Sequence, residues 1–316
     1  MKIAFMFPGQ GSQYPGMGRE LAAKYPVARE TFEAADNALG FALSKLCFEG
    51  PEADLKLTEN TQPAILTCSV AFARVLEAEG VTPDLVAGHS LGEYSAVVAA
   101  GGMHFEDAVA AVRKRGRYMQ EAVPVGAGTM AAILGMELAT VEEACRDAAA
   151  ATGLVVSPAN INSPDQVVIA GATAAVENAV ELAKGRGAKR AVILPVSAPF
   201  HCSMLRPAQD RLAPDLEAIQ FSDLRAPLVN NLTASEVMSG DKVRAGLIGQ
   251  VSAPVMWDRS MRRMSDLGAT IFVEVGPGRV LSGLLRQINK SLISTNVEDE
   301  KSLLAALPRL KAAVTQ

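Results

Sequence analysis

The chain has 316 residues, 49% of them hydrophobic and 20% charged, which is enough for one large globular domain or a large one with a small one. Its formal net charge of −4 gives no electrostatic reason to expect a nucleic acid or an anionic membrane as partner. Cys47, Cys68, Cys145 and Cys202 show neither C-x-x-C nor metal-ligand spacing, so they read as small buried residues in a reducing compartment, with no metal site. The chain opens without a basic region followed by a leader-length apolar stretch, and no apolar run reaches membrane-spanning length. A cytoplasmic protein, taken as a monomer, is the expectation.

Lys2–Phe7 reads as a first buried strand. It breaks at Pro8-Gly9-Gln10-Gly11-Ser12-Gln13, a turn dense in Gly and Pro. Neither G-x-G-x-x-G nor a following Gly-Lys-Ser/Thr is present, so the turn is not a nucleotide cradle. It is either a plain turn or a loop whose Gly-rich backbone lets Gln10 approach a ligand. Residues 17–37 and 61–80 read as helices, the second opening at Asn60-Thr61-Gln62-Pro63 with Pro in its first turn.

The next stretch organises the rest. Leu85, Val86 and Ala87 form a short apolar strand, 91–100 reads as a helix of small residues, and Gly88-His89-Ser90-Leu91-Gly92 lies between them. That is the G-x-S-x-G nucleophile elbow in its required strand–turn–helix context. The tight turn leaves no space for side chains at Gly88 and Gly92. The helix behind it aims its positive end and free N–H groups at any oxyanion formed beside Ser90.

A helix at 105–122 follows, with Ala108, Ala111, Val112, Tyr118, Met119 and Ala122 on one apolar stripe. Arg115 falls on that stripe, whereas Arg113, Lys114 and Arg117 read as a solvated face. A core-facing guanidinium needs an anion: either a buried Asp or Glu, or the carboxylate of a substrate.

From 128 to 196 the order is strand 130–134, helix 139–151, strands 154–160 and 166–170 joined through Asn162-Ser163-Pro164-Asp165, helix 173–184 and strand 190–196. This β-α-β-β-α-β pattern is ferredoxin-like and reads as a small domain, 127–196, inserted into a large α/β domain made of 1–126 and 197–316. The large domain resumes at Ser197-Ala198-Pro199-Phe200-His201-Cys202. Of three histidines, His89 lies inside the elbow pointing away from Ser90 and His104 lies in a turn, which leaves His201 as the base for Ser90. Further on lie Asn230-Asn231, Gln250, and a strand at 271–275 that runs through Gly276-Pro277-Gly278 into a helix near Val280. The tail from 288 reads as polar and then helical.

These stretches together resemble the malonyl-coenzyme A:acyl carrier protein transacylases of fatty-acid synthesis, over essentially the whole chain. The resemblance rests on Phe7–Gln13, on Gly88–Tyr94, and on Arg115-Gly116 before Met119-Gln120. It rests also on 160–171, 197–202, Gln250 and 274–278. It implies an α/β-hydrolase-like core with a parallel sheet and a nucleophile elbow, the ferredoxin-like subdomain, and a cleft between them. It implies Ser90 as nucleophile, His201 as base, and Gln250 orienting His201 through its main-chain carbonyl. Gln10 and Leu91 would supply the oxyanion-hole N–H groups. Arg115, with Gln62 and Asn160, would bind malonate, and Phe200 would crowd a substituent at C2 of the acyl group. Malonyl-coenzyme A and acyl carrier protein are the implied partners, with no cofactor beyond the coenzyme A thioester itself. Arg186, Lys189 and Arg190, with Arg113, Lys114 and Arg117, are candidates for the carrier's docking surface. A free-standing acyltransferase of polyketide synthesis shares the pattern. A serine esterase or thioesterase shares the elbow but has no need of Arg115.

Overall fold

The computed structural model describes residues 1–196 and 198–314. The chain opens with β1 (Lys2–Phe7), α1 (Arg19–Lys24), α2 (Pro26–Leu39), α3 (Leu43–Glu49), α4 (Glu52–Leu55) and α5 (Thr58–Ala78). Then come β2 (Leu85–Gly88), α6 (Gly92–Ala99) and α7 (Phe105–Glu121). A second group follows: β3 (Gly128–Leu134), α8 (Leu138–Thr152), β4 (Val156–Ser163), β5 (Gln166–Ala172), α9 (Thr173–Gly185) and β6 (Arg190–Ile193). The remainder holds α10 (Arg206–Glu217), β7 (Leu228–Val229), β8 (Glu236–Val237), α11 (Gly240–Gly249), α12 (Trp257–Asp266), β9 (Ala269–Val275), α13 (Val280–Ile288), β10 (Ile293–Val297) and α14 (Glu300–Val314).

The strands form two sheets. The first runs β10-β9-β1-β2-β7-β8 and is parallel except for β8. After Lys2, β1 is apolar on both faces, as a strand covered on both sides must be. Ile3, Phe5 and Phe7 enter the main core with Phe32, Phe72 and Phe105. Ala4 and Met6 enter a second core with Trp257, Met261 and Phe272 on the opposite face. The second sheet runs β4-β5-β3-β6, all antiparallel, the strand order of a ferredoxin-like unit. Ile133, Val167 and Ile169 pack under α8 and α9, while the alternate residues Met130, Val168 and Ala170 join the main core. The period-2 alternation of β3 and β5 thus seals the small sheet onto the large one.

Four expectations shift. The helix at 17–37 is two helices, because Tyr25, the residue before Pro26, is extended (φ −109°, ψ 114°). The helix expected at 61–80 starts at Thr58, so Pro63 lies inside it rather than in its first turn. Its start is anchored by Thr61 Oγ1 donating to the Leu55 carbonyl at 2.6 Å. The tail contains β10, an edge strand of sequence Ile-Ser-Thr-Asn-Val whose polar middle carries no apolar alternation. Asn162 and Ser163, expected in a connection, close β4 instead. The point at which the large domain was expected to resume, Ser197, lies outside the described residues.

The elbow depends on backbone contact. A Cβ on Gly88 would lie 1.9 Å from the Gly92 carbonyl carbon and oxygen, and one on Gly92 would lie 2.0 Å from the Phe7 oxygen. Gly92→Ala is expected to abolish folding or cost about 4 kcal/mol or more, read by urea unfolding. Gly283→Ala, where a Cβ meets open space inside α13, is expected to gain about 0.5–1 kcal/mol.

Candidate active site

Ser90 follows β2 and precedes α6, and its φ is 52°, the left-handed region a non-glycine residue seldom enters. Neighbours hold it there. Its N–H donates to Asn231 Oδ1 at 2.7 Å, and Asn231 Nδ2 donates to the Gly88 carbonyl at 2.6 Å. His201 is also left-handed, with φ 61°. Its Nε2 lies 2.6 Å from Ser90 Oγ, and its Nδ1 lies 3.0 Å from the main-chain oxygen of Gln250. A carbonyl can only accept, so the proton sits on Nδ1 and leaves Nε2 as the acceptor for the serine hydroxyl. Burial, aided by the nearby Arg115 charge, pushes the His201 pKa down to about 3, so the imidazole is neutral and able to take a proton.

Arg115 is 1% exposed. Its NH1 donates to Gln62 Oε1 at 2.9 Å, and its NH2 donates to Gln250 Oε1 at 2.8 Å and Ser90 Oγ at 3.1 Å. Its Nε has no partner among the described residues. Among the described residues no carboxylate bonds directly to Arg115: its side-chain acceptors are neutral, and the buried Glu93 carboxyl acts on it through space, with the Gln250 amide between them. Gly116 beside it lets α7 sit against the start of α5, where a Cβ would lie 2.6 Å from the Thr58 oxygen.

These groups surround a cavity of about 150 Å³. Ser90, His201, Gln10, Leu91, Arg115, Gln62, Asn160 and Phe200 all line it, and Gln250 stands behind His201 and Arg115. Met130 and Val168 of the small sheet close the other side with Asn160, whose Oδ1 has no partner among the described residues. The Gln10 loop reaches the elbow because Gly9 lies against the His89 carbonyl, 2.5 Å from where a Cβ would be. The N–H groups of Gln10 and Leu91 have no hydrogen-bond partner among the described residues. His89 lines the cavity too, held by Asn162 Oδ1 at 2.8 Å and by the Trp257 ring. A roomier cavity of about 600 Å³, around Arg74, His104 and Arg225, opens at the other end of β2 and includes none of these groups.

The sequence reading gave two residues no role of their own. Asn231 holds the elbow across the fold, and no local pattern marks it. Glu93 is buried in α6, and burial raises its carboxyl to about 7. A lone charge among small residues was its available signal, the same anomaly that marks Arg115. Of the three charges near Arg115, Arg113 does not belong to a solvated face: its guanidinium lies 4.3 Å from the Phe41 ring centre. Lys114 pairs with Asp215, Arg117 with Glu121 and Arg186 with Asp147. Lys189 and Arg190 are exposed.

An elbow serine and its histidine facing a buried cation across a small cavity are the parts of an acyl-transfer site. The acyl transferase domain family matches residues 4–315. The malonyl CoA-acyl carrier protein transacylase of Escherichia coli K12 is 48% identical over 307 residues, 97% of this chain and 99% of that protein. That of Bacillus subtilis 168 is 46% identical over 310 residues, 98% of each. A malonyl-transacylase solved with its type II polyketide-synthase acyl-carrier protein superposes with a TM-score of 0.95 at 45% identity, over 98% of this chain and 100% of that one. The chain belongs to the malonyl CoA-acyl carrier protein transacylase family.

The His201 pKa has a consequence for stability. The unfolded chain binds a proton on this imidazole near pH 6.5, and the folded chain does so only near pH 3. Stability is therefore lost as pH falls through that window. Between pH 7 and pH 5 wild type is expected to lose about 2 kcal/mol more than His201→Ala, measured by urea unfolding of both proteins at both pH values.

Proposed function

We propose that the chain transfers malonyl from malonyl-coenzyme A to the phosphopantetheine thiol of acyl carrier protein, through a malonyl ester on Ser90, in fatty acid synthesis. The carrying observation is the buried Arg115 guanidinium, 3.1 Å from Ser90 Oγ and without a carboxylate partner of its own. An acyl group that brings its own carboxylate supplies the missing anion.

Ser90 Oγ attacks the thioester carbonyl while His201 Nε2 takes its proton. The oxyanion faces the Gln10 and Leu91 N–H groups. The proton passes to the coenzyme A sulfur, the thiol leaves, and malonyl remains on Ser90 with its carboxylate on Arg115. The carrier thiol then attacks the ester, His201 takes the thiol proton, and Ser90 recovers it as the ester breaks. Gln250 keeps the imidazole in one tautomer through its carbonyl. Gln62 supports the guanidinium, and Asn160 offers its Oδ1 to the bound substrate. Phe200 narrows the space beside the ester, disfavouring a branched acyl group by about 1–3 kcal/mol. The reading requires no metal and no redox cofactor.

In this reading residues 1–126 and 197–316 carry the nucleophile and base, and 127–196 closes the cleft. The protein acts as a monomer in the cytoplasm, a setting that its four buried free cysteines suit. Among the described residues no helix is long and apolar enough to cross a membrane. A second carrier, one of polyketide synthesis, is favoured by the structural neighbour bound to such a carrier.

Intact-protein mass after brief mixing with malonyl-coenzyme A is the test. A malonyl-sized gain is expected in wild type, discharged by acyl carrier protein and absent in Ser90→Ala. Continuous release of free malonate without a gain would make the protein a hydrolase. Arg115→Ala is expected to lower kcat/KM for malonyl by about 100-fold while raising the relative use of acetyl. Equal losses for both acyl groups would remove the carboxylate role. Reversing Lys189 and Arg190 to Glu is expected to raise KM for the carrier about tenfold and leave malonyl loading intact. An unchanged KM would exclude them from the docking surface.

A further inference from the structure

Glu93 is 1% exposed, three residues beyond the nucleophile in α6. A carboxylate at that depth requires donors. Its Oε2 accepts from the Asn231 main-chain N–H at 2.8 Å and from Gln250 Nε2 at 3.0 Å. Gln250 meets three parts of the site. Its main-chain oxygen takes His201 Nδ1, its Nε2 also donates to the Ser90 carbonyl at 3.1 Å, and its Oε1 accepts from Arg115.

A glutamine amide has two orientations of nearly the same shape and opposite chemistry. As it stands, the NH₂ group faces two oxygens and the oxygen faces a donor. Turned over, Oε1 would face the Glu93 carboxylate and the Ser90 carbonyl, and the NH₂ group would face a guanidinium that cannot accept. Replacing Glu93 with a group that accepts nothing removes one of the three contacts that select this orientation and leaves the Ser90 carbonyl and the Arg115 guanidinium to oppose the turn.

We infer that Glu93 is a positioning residue for acyl-group choice: it fixes the Gln250 amide with Oε1 toward Arg115 and so keeps the guanidinium aimed at the pocket beside Ser90. Glu93 does not line that pocket. The inference rests on the carboxylate role proposed for Arg115. A role confined to tying α6 to Asn231 would alter stability but not the choice between acyl groups.

The test measures Ser90 loading from malonyl-coenzyme A and from acetyl-coenzyme A, whose acyl group has no carboxylate for Arg115. In Glu93→Met the malonyl-to-acetyl ratio of kcat/KM is expected to fall by about 10- to 100-fold, mainly through KM for malonyl, as loss of a hydrogen bond to a charged group implies. Glu93→Gln keeps one acceptor oxygen at the same reach and is expected to restore most of the ratio. Gln250→Leu keeps the main-chain carbonyl and is expected to lower the ratio alone, after which adding Glu93→Met changes it no further. An unchanged ratio in Glu93→Met, or in Gln250→Leu should the first variant not fold, overturns the inference. Wild type that loads malonyl beside variants that keep its preference overturns only this inference. Wild type that never loads malonyl overturns the functional reading as well.

Discussion

An arginine sealed in the interior with only neutral acceptors around it constrains most of the site. Taking a guanidinium out of water costs several kcal/mol unless its donors are met. Here Gln62, Gln250 and Ser90 Oγ meet part of that demand, and Nε has no partner among the described residues. The arrangement is stable enough to fold and incomplete enough to favour an incoming anion. Burial, with the same cation beside it, lowers the neighbouring imidazole and keeps it neutral.

The elbow is the second constraint, and it is steric where the first is electrostatic. Ser90 and His201 both adopt left-handed backbone, a cost of about 1–3 kcal/mol each that surrounding structure must over-determine. For Ser90 the restraint is visible: Asn231 grips the turn on both sides, and the glycines at 88 and 92 admit the backbone contacts that keep it tight. Glu93 secures Asn231 in turn and reaches Gln250 with the same oxygen. One connected set of hydrogen bonds therefore spans the strained turn, the base and the cation.

The two sheets divide the work by geometry. The parallel sheet ends at the elbow, where the positive end of α6 meets the N–H groups of Gln10 and Leu91, which have no partner among the described residues. The antiparallel sheet contributes a wall of Met130, Asn160 and Val168. Because alternate residues of β3 and β5 face opposite ways, the small sheet can be covered by its own helices and still offer an apolar face to the cleft.

Strands with unbroken apolar runs, helices with a 3.6-residue stripe, the glycine-framed serine and the misplaced arginine were all legible in the chain. Each is a local pattern whose geometry follows from neighbours within a few residues. The β-α-β-β-α-β order was legible for the same reason. The edge strand β10 was not, since a polar strand at a sheet margin owes its form to pairing with β9 rather than to its own alternation. Nor was the break at Tyr25 given its weight beside Pro26. Folding alone decided that Asn231 would brace Ser90 from 141 positions away, and that Glu93 would meet Gln250 across 157. It also decided that Arg115 would find only neutral partners. A side chain's type states what it can bond to, and only the packed chain settles which distant group arrives to bond with it.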